Sequence, residues 1–314
     1  MRRVAAPLAA VVCALAAAGC GDDGAEPGAP EGATLVLDFQ PNAVHAGIYA
    51  AKHQGYFEEE GVDLEIREPS STADSAKLLA AGRADFAIID INDFGIARER
   101  GADLVAIAAI VQRPLASVIA GDRDEIRTPA DLAGKTVGVT GVPSDDAVLD
   151  TVLRSGGVDP SEVERVTIGF KAVSALAAGR IDAATAFWNA EGVQLKQLGL
   201  PTREFRVDQF GAPPYPELLL VTHAGSSGEE LADRLLAGLT RGYELLGNDP
   251  DGALDALLGE VRGLDRSSQS AQLDALTSSH AFARQGSLAT PEQSRESIER
   301  WQSWAQSNEL LGPD

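Results

Sequence analysis

Apolar and polar positions along this chain change rhythm many times. Thr34–Asp38 is a short apolar run of strand length, and Ala43–Gln54 spaces its apolar residues as a helix does before Gly55 stops it. Val62–Glu68 alternates with a period of two. Ser75–Ala81 then reads as helix, Phe86–Ile89 as a buried strand, Asn92–Glu99 as helix and Leu104–Ile110 as strand. The order restarts at Thr128, with a short capped helix at Pro129–Gly134, strand at Lys135–Val139, helix at Ser144–Arg154, strand at Glu164–Ile168, helix at Ala172–Ala178 and strand at Ala183–Phe187. Such alternation predicts largely parallel sheets flanked by helices. Beyond Leu218–Thr222 the pattern is helical, over Glu229–Leu246, Pro250–Leu258, Gln269–Ala275 and Pro291–Ser307.

A repeat organises these elements. Leu79–Ala87 (LAAGRADFA) recurs as Leu176–Ala184 (LAAGRIDAA). In each copy a helix ends on a glycine suited to a left-handed cap, Gly82 or Gly179, and an aspartate, Asp85 or Asp182, precedes a buried strand. The chain's 314 residues exceed what one core usually organises. The expectation is therefore an α/β chain of two lobes on one plan, with lobe 1 at 33–121 plus 222–310 and lobe 2 at 122–221. Crossings between them are expected near Ala120–Asp122 and Leu220–His223.

The N-terminus has a different character. Arg2 and Arg3 precede an apolar run from Val4 to Ala18, the layout of a signal peptide over residues 1–20 and too short for a bilayer span. Ala17–Cys20 (AAGC) resembles a bacterial lipobox, which implies a lipid on Cys20; ordinary cleavage is the alternative. Residues 21–32 are acidic, rich in Gly and Pro and poor in large apolar side chains, so a tether is expected there. The expected location is extracytoplasmic, with membrane attachment through that lipid alone. Cys13 and Cys20 are the only cysteines, so neither a disulfide framework nor a cysteine metal cluster is expected in the processed chain.

Charge narrows the partners. The chain carries 47 acidic and 26 basic residues, a net charge of −21, and cleavage after Gly19 would remove two of the basic ones. That surface repels nucleic acid and anionic lipid. Four histidines lack paired metal-ligand spacing, and phosphate-loop and nucleophile-elbow motifs are absent. A binding protein without cofactor, rather than an enzyme, is expected.

Ligands of open α/β sheets bind at the carboxyl ends of strands. Asp38 to Tyr49 (DFQPNAVHAGIY) occupies such an end, where Asn42 suits either a helix cap or a ligand contact and His45 falls in the first helical turn. Phe187 to Gly192 (FWNAEG) is the junction expected to match it in the second lobe. Trp188 could stack on a flat ligand or fill an interlobe core. Glu191 could accept hydrogen bonds from exocyclic amines or simply complement a helix N-terminus, with Asn189 a candidate contact beside it. Ser144 is a cap or a contact, and Tyr215, in the proline-rich GAPPYP loop, could close over the cleft.

Together, DFQPNAVHAGIY, QGYFEEEG at 54–61, LAGKTVG at 132–138, WNAEG at 188–192 and YPEL at 215–218 resemble the thiamine-pyrimidine-precursor binding family of importer solute-binding proteins, related to sulfonate and nitrate binders. The resemblance spans residues 33 to 308. It implies a two-lobed periplasmic-binding fold of type II, an ABC permease and its ATPase as partners, and an aminopyrimidine ligand held by Asp38, Asn42, His45, Trp188 and Glu191. Riboflavin-like, sulfonate or nitrate ligands are alternatives. Eukaryotic pyrimidine synthases resemble the same family; they are enzymes that carry a cysteine-rich iron-binding run where this chain has Gly211–Pro216, which contains no cysteine.

Overall fold

The computed structural model describes residues 29–71, 74–121, 125–225, 229–282 and 288–313. The expected signal peptide, Cys20 and most of the expected tether lie outside these residues. Ten strands form the framework: β1 (Glu31–Val36), β2 (Val62–Arg67), β3 (Phe86–Asp90), β4 (Leu104–Val111), β5 (Ala116–Gly121), β6 (Thr136–Val139), β7 (Glu164–Thr167), β8 (Ala183–Phe187), β9 (Thr202–Arg206) and β10 (Leu218–His223). They make two five-stranded sheets of the same plan, ordered β2-β1-β3-β10-β4 and β7-β6-β8-β5-β9. Within each sheet the strand next to the centre on one side, β10 or β5, runs against its neighbours. It is the first strand laid down after the chain arrives from the other sheet.

Alternation explains why both faces of these strands are apolar. In β1, β3 and β10 the residues Leu35, Phe86, Ile88 and Leu220 enter one core with the helices Glu229–Asn248 and Pro250–Glu260, while Val36, Ala87, Ile89 and Val221 enter another with Trp301 and Trp304 of Pro291–Ser307. The second sheet divides similarly. Val118, Val137 and Phe205 pack on Leu149 and Val152, and Ile119 and Ala184 pack on Ala175, Leu176 and Leu195. No described helix is long and apolar enough to cross a membrane.

The repeat is structural. Gly82 and Gly179 take φ values of 65° and 63°, and the following arginines, Arg83 and Arg180, donate back to Leu78 and Ala175. Asp85 accepts a hydrogen bond from the Thr34 N–H and Asp182 from that of Thr136, so each tethers the next strand over. The two copies lead into β3 and β8, the central strand of each sheet.

The crossings differ from expectation. Ala116–Gly121 pairs with β8 and β9, and Leu218–His223 pairs with β3 and β4, so the chain crosses at residues 112–115 and 207–217. An apolar run such as Ser117–Ala120 fits the interior of either sheet, and pairing alone decides which one takes it. At the crossings, Glu217 binds the Leu115 N–H through Oε2 (2.8 Å), while its own N–H reaches Val111 and its carbonyl accepts from Ile91.

Candidate ligand site

A cavity of about 70 Å³ lies between the two sheets. That is room for about five waters. Phe39, Asp90, Asn92 and Asp93 line it from the first sheet, Glu217 from the crossing, and Ser117, Thr140, Ser144, Asp145, Thr185, Phe187 and Glu191 from the second. Phe39 meets Phe170 edge to face across the cleft at 4.6 Å, and Phe187 stands 6.1 Å from the same ring.

Five of the lining residues are carboxylic acids, and none is lysine, arginine or histidine. Burial raises all five. Glu191, the first residue of the helix Glu191–Gln197, is pushed up to about 7 by burial, against backbone N–H groups that include that of Phe187 at 3.1 Å. Burial, then the charges of Asp90 and Asp145, pushes Asp93 up to about 7. Asp145 is raised by burial although Thr140 binds it through N–H and Oγ1. Asp90 is raised by burial, and Glu217 is raised well above its ordinary range by burial and then by Asp90 beside it.

The sequence-derived candidates divide sharply. Ser144 and Glu191 line the cavity. Asp38, Asn42 and His45 instead complete a local network. The His45 Nδ1 accepts the Asn42 N–H at 3.1 Å, so Nε2 carries the proton and donates to Asp38 Oδ1 at 2.9 Å; Asn42 Oδ1 accepts from Val44. Asn42 lines a second pocket, of about 220 Å³, which Phe39 also borders. Trp188 is 1% exposed and belongs to the crossing: its Nε1 donates to the Pro114 carbonyl (2.9 Å), its N–H to that of Leu115, and Arg206 covers its ring at 4.0 Å. Asn189 is buried, and no hydrogen-bond donor among the described residues reaches its Oδ1. Tyr215 does not close over the cleft, since it is fully buried and stacked on Trp304 at 5.8 Å.

The matching of junctions also changes. By strand order β8 corresponds to β3, not to β1, so the partner of Phe187–Glu191 is Asp90–Asp93. Sequence reasoning passed over Asp90, Asp93, Asp145 and Glu217. The repeat was a usable signal for the first two, since each copy feeds a strand that ends at the cavity.

Two sheets on one plan, joined by two crossings and flanking a largely apolar cavity set with carboxylic acids, define a two-lobed ligand-binding protein. The alkanesulfonate-binding protein SsuA from Xanthomonas axonopodis pv. citri, bound to MOPS, has this fold: the two superpose with a TM-score of 0.71 at 18% identity, covering 90% of this chain and 95% of that one. The chain belongs to the NMT1/THI5-like family, whose pattern matches residues 42–253. The formylaminopyrimidine-binding protein of Halalkalibacterium halodurans is 36% identical over 228 residues, 71% of this chain and 69% of that protein. A 4-amino-5-hydroxymethyl-2-methylpyrimidine phosphate synthase of Legionella pneumophila is 28% identical over 177 residues, 56% of each chain.

Proposed function

We propose that this protein is the solute-binding component of an ABC importer and that it captures an aminopyrimidine between its lobes. One observation carries the choice of ligand: the cavity combines flanking phenyl rings with carboxylic acids and has no cationic side chain. A sulfonate or nitrate would leave its charge unpaired there, whatever the likeness in fold, and burial makes an unpaired charge costly. An amine-bearing flat heterocycle meets both features. Its ring lies against Phe187 and Phe39, and its exocyclic amine donates to Glu191. The similarity to a formylaminopyrimidine-binding protein supports the same ligand class.

Binding without turnover is the favoured activity, because both ring nitrogens of His45 are engaged, by Asn42 and Asp38, and Gly211–Pro216 supplies no cysteine. Delivery to a permease with its ATPase follows from this reading, as does an extracytoplasmic position with a lipid on Cys20. Membrane fractionation checks the last point: Cys20→Ser should release the protein or block its maturation, and a soluble, unmodified wild type would refute the anchor. Calorimetry with a formylaminopyrimidine, 4-amino-5-hydroxymethyl-2-methylpyrimidine and MOPS tests the ligand. One-to-one binding of a pyrimidine and none of MOPS is expected; the reverse order would overturn the proposal.

A further inference from the structure

We infer that the cavity has a second acidic end, built by the first lobe and the crossing, which selects the charge of the group that the ligand carries opposite its aromatic amine, favouring a protonated amine and excluding a phosphate ester. This inference rests on the proposal that the cavity is the solute site.

Glu191 and Asp145 stand on the second lobe's side. Asp90, Asp93 and Glu217 face them from the other wall. Asp90 ends β3 and caps the helix Ile91–Glu99, its Oδ1 accepting from the Asn92 N–H at 2.6 Å. Asp93 lies in the first turn of that helix and is half-buried, its surface lining the cavity. Glu217 is fully buried. Its Oε2 is taken by the Leu115 N–H, whereas no N–H or O–H among the described residues reaches Oε1. Beside it stands Asp90, another acid close enough for the two carboxyls to share a proton, while the Ala116 N–H joins that of Leu115 in favouring the ionised form of Glu217. Ser144 and then Lys77 draw Asp93 back toward ionisation; Lys77 does not line the cavity, but it shares with Asp93 another pocket, of about 400 Å³.

A wall of three acids with an oxygen left over is a receptor for a proton donor. An ammonium on a short arm can stand in for the shared proton, donating to both carboxylates while that proton leaves to solvent, so it supplies several donors at no change in net charge. A hydroxyl donates one hydrogen bond and leaves the charge problem unchanged. A phosphate brings negative charge against carboxyls, and at an effective dielectric of about 20 a single like-charge contact at about 5 Å already weakens binding by roughly a hundredfold. The two acidic ends therefore measure different groups on one ligand, and only a closed cleft brings both within reach.

Calorimetry on the full chain tests this with three arms on one ring: 4-amino-5-aminomethyl-2-methylpyrimidine, the 5-hydroxymethyl compound and its phosphate. The amine should bind about tenfold more tightly than the alcohol, and the phosphate about a hundredfold or more weakly than the alcohol. Glu217→Gln keeps an acceptor for Leu115, and Asp93→Asn keeps the side-chain shape. Each should shrink the amine's advantage to within about threefold, with cooperative unfolding retained to show an intact fold. A phosphate binding within tenfold of the alcohol, or an amine without advantage in the wild type, overturns the inference. Benzylamine, benzyl alcohol and benzyl phosphate separate it from the aminopyrimidine proposal. If only the benzyl series binds, in the expected order, the ligand class above fails and the charge-selective wall stands; silence of both series overturns both.

Discussion

The strand ends at Asp38–His45 and Phe187–Glu191 both carry polar side chains from a strand into a helix and use them in opposite ways. After β1, an aspartate, an asparagine and a histidine satisfy one another, and both imidazole nitrogens are spent within seven residues of chain. After β8, Glu191 receives only backbone N–H groups, and burial keeps it short of them. A polar side chain whose bonds close locally is architecture. One that is buried yet under-served is available to a solute. The distinction rests on how many partners the fold supplies, which residue type alone does not reveal.

The largest test of this division is Trp188, which shares the β8 junction with Glu191 but has all its polar contacts filled by the crossing. Trp188→Ala should cost about 3–5 kcal/mol of stability, the usual toll of emptying so large a buried site. Denaturant unfolding measures it. A loss of ligand affinity with unchanged stability would return Trp188 to the binding site.

Next comes pH. Glu191 and Asp93 have carboxyls raised to about 7 in the folded state, well above their ordinary values, so between about pH 4 and 7 the folded chain holds protons that the unfolded chain has released. Stability should therefore fall as pH rises through that window and level off above it, by on the order of 3 kcal/mol for Glu191. Exposed acids held low by hydrogen bonds, such as Asp74 and Asp131, act with the opposite sign, at more acid pH. Melting temperatures of the ligand-free protein from pH 4.5 to 8 check this: Glu191→Gln should flatten the slope, and a wild type with no slope would refute the raised acids.

The finest comparison sets Glu191→Ala against His45→Ala. Losing a charged hydrogen bond costs about 1.5–3 kcal/mol, so Glu191→Ala should weaken the pyrimidine by about tenfold or more without lowering stability. His45→Ala should lower stability by about 1 kcal/mol through its lost cap and shift affinity by less than about threefold. Titration calorimetry paired with thermal unfolding reads both, and exchanged outcomes would invert the assignment of the two strand ends.

Much of this was legible from periodicity. The apolar runs at β1, β3 and β8, the helix at Pro143–Ser155 and the repeat around Gly82 and Gly179 all follow from local pattern, because spacing and left-handed caps are local physics. The two-lobed α/β plan followed with them. The place of β5 was not legible, since Ser117–Ala120 suits the interior of either sheet, and the short strand Thr202–Arg206 carries too little apolar periodicity to stand out. At the site, Glu191 and Ser144 were named from their strand-to-helix junctions, while Asp90 and Glu217 were hidden. Each is a single acid beside a strand-like apolar run, ordinary as a cap or a loop charge, until the fold turns it inward against another acid. Of the two readings open for Trp188 the structure takes the interlobe one, and Tyr215 is buried instead of covering the cleft, because large aromatics near a cleft pack beneath it as readily as within it.

One bond between the lobes gives the molecule a built-in lamp. The Trp304 indole, on the helix Pro291–Ser307, donates to Thr151 Oγ1 at 3.1 Å on the helix Pro143–Ser155, which packs against the other sheet. Spreading the lobes must break that bond and wet the indole, whereas Trp301, bonded to Asn92 within its own lobe, stays as it is. Ultraviolet emission should then redden as the cleft opens and shift back when a solute closes it, so the protein reports its own occupancy without any attached dye.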